Sequence, residues 1–191
     1  MKNPYMFSYL PFVTVLLFSL TFGVYSVGET LILFKEIGLY QGMREFLSDF
    51  QLRIFLLTMY SLVFFMLFAA LKLIAVTIHE TALLFFLKEE ADASYSTSKS
   101  GVVIYFIGAL ASAIGIQSWK TLVLIFLITS FIYFVYVVYK LSPFMPLTHT
   151  VGLIFFQIII WSVLVTGLVY IIFRLYNGLL ASIPLTNPVN K

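Results

Sequence analysis

The stretch from Ile54 to Leu87 constrains this chain most: 34 residues in which Lys72, His79 and Glu80 are the only ionisable side chains besides tyrosine. An α-helix of that length rises roughly 50 Å, whereas the hydrocarbon core of a bilayer is about 30 Å thick. The run must tilt, bend or lie down at one end. A soluble domain of 191 residues has no core large enough to hide it together with the apolar runs on either side. Composition agrees: 62% of residues are hydrophobic and 10% charged, against about half and about a quarter in soluble domains. Lipid is therefore the solvent for most of the chain, and the expected fold class is an all-α polytopic membrane protein.

Five transmembrane helices in a single bundle are expected, at about 9–34, 54–78, 101–116, 121–139 and 151–173, as one transmembrane domain over residues 1–191. Lys35 to Arg53 mixes charges with Ile37, Leu39, Phe46, Leu47 and Phe50, which reads as a connection containing a short interfacial helix. The excess length of the second run is expected as an interfacial extension of that helix, Leu73 to Leu87, apolar face down. Residues 88–100 form a hydrophilic loop, and Pro143 and Pro146, which lack backbone N–H groups, turn the chain before the fifth span. The first segment lacks an A-x-A site and stays apolar as far as Phe34, longer than a signal-peptide core, so it is expected to be a retained anchor.

Alternation of five spans puts Lys2, Lys88, Lys99 and Lys140 on one face and Lys35, Arg44, Arg53, Lys120, Arg174 and Lys191 on the other. The positive-inside rule then orients the N-terminus outside and the C-terminus in the cytoplasm. The net charge of +3 is scattered, with no basic run, so nucleic acid is not an expected partner. Cysteine is absent, which excludes disulfides, thiolate metal sites and a cysteine nucleophile.

"HETAL", from His79, begins like the zinc-protease signature H-E-x-x-H, in which two histidines four residues apart share a helix face. Leu83 stands where the second histidine is required, so no metal or cofactor is expected. Lys72, His79, Glu80 and His149 remain a candidate polar cluster. Lys72 and His79, seven apart, point within about 20° of each other on an ideal helix. A span beginning at Ile54 places Lys72 about 27 Å along its axis, at the far boundary, where the lysine stem reaches headgroups. Glu29 lies roughly 7 Å inside the end of the first helix, and a Glu29–Arg174 pair joining the first and fifth spans is expected.

The third span is different in kind. Gly108, Ser112 and Gly115 recur at three- and four-residue spacings, which lets helix backbones approach closely where packing rather than hydrophobicity drives association. Tyr133, Tyr136 and Tyr139 in the fourth span suit interface anchoring.

With these residues laid out, the chain resembles the YufK-type family of small membrane proteins of Gram-positive bacteria. The segments that carry the likeness are "LYQGM" at Leu39, "LKLIAVTIHETALLFF" from Leu71 and "RLYNGLLASIP" from Arg174, and the likeness covers nearly the whole chain. It implies a bacterial plasma membrane location and carries over no catalytic or binding residue. The expected function is a non-enzymatic accessory or interaction protein, its partners being the lipid bilayer and either itself or other membrane proteins. Two alternatives stand beside it: a small-solute or ion transporter or channel using Glu29, Lys72, His79 and Glu80, and a membrane enzyme centred on His79, Glu80 and His149.

Overall fold

A computed structural model describes residues 4–87 and 101–182, with side chains placed for 9–87 and 101–179. The hydrophilic loop 88–100 lies outside the described residues. All regular structure among them is helical: α1 (Pro4–Glu36), α2 (Leu39–Arg44), α3 (Asp49–Phe86), α4 (Val102–Ser112, continued by a 3₁₀ turn to Gly115), α5 (Trp119–Leu141) and α6 (Leu147–Ser182).

Local chemistry explains where these helices stop and start. α1 ends at Gly38, whose φ of 75° needs the left-handed region that glycine enters without a Cβ penalty. α3 opens on a capping box: the Ser48 hydroxyl accepts from the Gln51 N–H at 3.2 Å, and the Ser48 N–H donates to the Gln51 side chain at 2.9 Å. The short helix expected between the first two spans is α2. Tyr40 donates its hydroxyl hydrogen to Asp49 at 2.6 Å, Arg53 pairs with Asp49 at 2.8 Å, and the Lys35 ammonium sits 5.2 Å from the Tyr40 ring. These contacts tie α2 to the start of α3.

Contacts along the axes give the directions. Phe18 meets Phe68 while Val27 and Leu31 meet Leu52 and Leu56, so α1 and α3 are antiparallel. Tyr105 bonds Ser130 while Gly115 approaches Thr121, so α4 and α5 form an antiparallel hairpin. Phe64 meets Trp119 and Phe68 meets Phe126, so α3 and α5 are parallel. α6 returns antiparallel to α3, resting on its last turns. Phe18, Phe22, Phe68, Ala109 and Leu122 form the core where α1, α3, α4 and α5 meet.

The small residues of α4 sit in that junction. A Cβ on Gly108 would collide with the Thr129 side chain, and one on Gly115 would lie 3.0 Å from Ile125. Ser112 is 0% exposed and shares a 2.9 Å hydrogen bond with Thr21 of α1. Thr21 and Thr129, neither of them evident from the sequence as packing residues, are the partners that the small residues admit.

Two features of these helices bear on the expected spans. α1, α3, α5 and α6 are long and apolar enough to cross a bilayer, but α4 with its 3₁₀ turn rises only about 22 Å. The third span is thus shorter than the hydrocarbon core. Second, the run after Leu73 continues as helix, as expected, in one uninterrupted element through Phe86. Its last turns bury Ala82 among Val137, Leu141, Met145 and Leu153. One face of this extension is thus buried on α5 and α6.

Candidate functional site

The His79–His149 region is a seam between α3 and α6. His149, in the first turn of α6, places Nδ1 2.8 Å from the carbonyl oxygen of Phe86. That carbonyl belongs to the last turn of α3, where no later helical N–H remains to donate to it. A carbonyl only accepts, so His149 carries its proton on Nδ1. The imidazole therefore caps the neighbouring helix. Two turns further along α6, the Gln157 side-chain nitrogen lies 3.1 Å from His79 Nδ1. With the amide so oriented, Nδ1 accepts and the His79 proton resides on Nε2. Nε2 is fully shielded and has no partner among the described residues. Leaving a buried donor unpaired costs about 1–3 kcal/mol.

Gln157 is the residue that the sequence reading missed, although it is the one amide inside the apolar run "GLIFFQIIIW". Gly152 makes the close approach possible: a Cβ there would lie 2.5 Å from the Phe86 ring.

The seam separates the candidate residues as much as it gathers them. His79 and His149 bond different partners, about 12 Å apart as measured along α6 from His149 to Gln157. Glu80 is exposed beside His79. Among the described residues no three of His, Cys, Asp and Glu come together around a point that could hold a metal ion.

The Glu29–Arg174 pair is not formed. Glu29 is exposed in a shallow hollow along α1 with Thr30, Ile32, Leu33 and Glu36. Arg174 lies in another along α6 with Tyr170, Ile171, Leu175 and Gly178. The ion pair recorded among the described residues is Asp49–Arg53. The reason is the course of α6, which rests chiefly on α3 rather than on α1.

Lys72 is exposed on α3 and makes no ion pair among the described residues. Its depth follows from α5, which serves as a ruler. Lys120 and Lys140 flank that helix twenty residues apart, about 30 Å of rise, which matches the hydrocarbon thickness. Because Phe68 packs on Phe126 and the helices are parallel, Lys72 stands level with Ser130. That is about 15 Å from each flanking lysine, so a bilayer bounded by those two lysines would hold Lys72 at mid-depth. A lysine stem spans far less than that distance, and a charge at the centre of a helix in lipid costs at least about 2.5–3.5 kcal/mol.

Around Lys72 the helices are open. By the His79–Gln157 register the residue across from it on α6 is Leu164, which is 43% exposed. From Ile158 to Leu179 no residue of α6 is buried. α6 thus closes on α3 at the seam and leaves it bare beyond.

A family of unknown function, DUF5366, matches residues 27–184. The protein belongs to the DUF5366 family. A relative described as an uncharacterized membrane protein, YufK of Bacillus subtilis (strain 168), is 33% identical over 184 residues, which is 96% of this chain and all of that protein. The YufK-type resemblance carried by "LKLIAVTIHETALLFF" is therefore established over nearly the full length. No solved structure matches the chain. The likeness to a relative described as a membrane protein, together with the apolar helices, makes this a membrane protein; membership of DUF5366 attaches no chemistry to Lys72, His79, Glu80 or His149.

Proposed function

We propose that this is a non-enzymatic accessory or interaction protein of the plasma membrane, working by presenting a helix surface to other membrane proteins. The observation that carries the reading is α6: every residue from Ser162 to Leu179 is exposed, yet the stretch holds Ser162, Thr166, Gly167, Arg174 and Gly178 among its apolar residues. Small and hydroxyl side chains favour close helix contact in lipid. The two histidines support the reading too, since each is engaged in joining α3 to α6. The positive-inside rule supports an N-terminus outside, with Lys35, Arg44, Arg53, Lys120, Arg174 and Lys191 on the cytoplasmic side.

Photo-crosslinking side chains placed at Ser162, Thr166 and Val169 in cells test this. Each should give the same discrete protein adduct, while one at Phe131, exposed on α5, should give lipid adducts alone. Lipid adducts at every position would overturn the reading. The transporter alternative makes an opposite claim: purified protein in liposomes would carry proton or cation flux that Glu80→Gln abolishes. We expect no flux above that of empty vesicles.

A further inference from the structure

We propose that the open cleft beside Lys72, between α3 and the distal half of α6, is the docking site for a partner transmembrane helix that carries an Asp or Glu at mid-bilayer depth. This rests on the interaction-protein reading and names the chemistry of the partner.

Three observations carry it. Lys72 points within about 20° of His79 around α3, so it faces the side on which α6 lies. α6 has drawn away at that level, as the exposure of Leu164 records. No ion pair among the described residues neutralises the ammonium.

The occupant follows from depth. Lipid phosphates lie near the two boundaries, about 15 Å away by the α5 ruler, beyond the reach of a lysine stem. Acyl chains offer no acceptor. A second copy of this chain fails for a related reason. Copies in one membrane share an orientation, so a carboxylate must already lie level with Lys72, and none does among the described residues. Glu80 is eight residues along α3 towards the Lys140 end, about 12 Å away. Glu29 is one turn outward of Tyr25, which packs on Trp119 at the opposite boundary. Glu36, Glu45 and Asp49 lie further out still. A foreign helix with a central carboxylate supplies what neither lipid nor a copy can: an anion at that depth on a backbone that fits the cleft.

The test uses the full chain in phosphatidylcholine vesicles, with labelled bilayer-length Leu–Ala helices as probes. One probe carries Glu at its centre, one Gln at its centre, and one Glu at its end. Energy transfer should show the central-Glu helix associating on the order of tenfold more tightly than the other two. The preference should vanish in Lys72→Leu and persist in Lys72→Arg, with circular dichroism unchanged in both. Equal association of the three probes overturns the proposal, as does a preference that survives Lys72→Leu. Loss of the preference on adding phosphatidylglycerol would make lipid the counter-ion. Energy transfer between two labelled copies that requires Lys72 would make a second copy the occupant. Either result also overturns it. These readouts are independent of crosslinking along α6, so failure of the docking site and failure of the broader reading are distinguishable.

Discussion

Phe68 of α3 packs against Phe126 of α5 with ring centroids 5.1 Å apart, and this contact sets the depth of the residues around it on α3. Through it, the lysines flanking α5 become a scale on which Lys72 reads as the middle of the bilayer. Phe64 already meets Trp119, so the Asp49–Arg53 turn lies beyond the Trp119 end of α5.

The first prediction concerns the isolated protein. With no partner present, the Lys72 charge is a pure liability. Lys72→Leu should therefore raise stability by about 1–3 kcal/mol, measured as unfolding in a bilayer or bicelle. A destabilised variant would mean that the lysine is satisfied within its own chain.

Gly108 marks the tightest crossing in the bundle. Gly108→Ala forces α4 away from Thr129, since the new methyl would lie 2.8 Å from the Thr129 Cβ and collide with the groups beyond it. The expected loss is about 1–3 kcal/mol. Thr129→Ala should restore part of it, giving a coupling that a double-mutant cycle in detergent unfolding measures.

Gln157 and His79 are coupled in the same sense. Gln157→Leu strands both imidazole nitrogens and should cost about 1–3 kcal/mol. The double variant with His79→Leu should recover most of that, because two apolar side chains leave no polar atom unpaired. Thermal unfolding of the four proteins checks this; full additivity would show that the 3.1 Å contact carries no energy.

The Tyr40–Asp49–Arg53 contact should be limited at both ends of the pH scale. The Tyr40 hydrogen bond and then Arg53 hold the Asp49 carboxyl below its ordinary 3.8. The stability it contributes is complete above the unfolded-chain value and is lost as pH falls through the lowered folded one. The Asp49 hydrogen bond raises the Tyr40 phenol above 10.0, so that contribution is complete below the unfolded-chain value and is lost as pH rises through the folded one. Asp49→Asn should flatten the acid limb of a stability–pH profile and bring Tyr40 ionisation, read by ultraviolet absorbance, back to lower pH.

Much of the fold was legible in the sequence because lipid imposes one-dimensional rules: apolar runs of spanning length, Pro143 and Pro146 at a turn, small residues on α4. Lys72, His79, Glu80 and His149 stood out for the same reason, as ionisable groups in apolar surroundings. Their partners did not. Whether Leu73 to Phe86 lies on a surface or packs on α6 depends on Ala82 and Gly152 meeting residues more than fifty positions away, which periodicity cannot report. Glu29 and Arg174 shared a membrane face in the sequence, but a shared face does not set which helices touch. Gln157 escaped notice because a single amide in an apolar helix gains meaning only when His79 is seen across from it.

The depth of position 72 tests the account most directly. The chain has no cysteine, so single cysteines at 72, 120 and 140 can carry a spin label in liposomes, and the ratio of oxygen to nickel-chelate collisions gives depth at each. The account predicts a maximum at position 72, about 15 Å below the level of the two flanking sites. A label at 72 reporting the same depth as those at 120 or 140 would contradict it, placing Lys72 at the headgroups and leaving the cleft without a buried charge to answer.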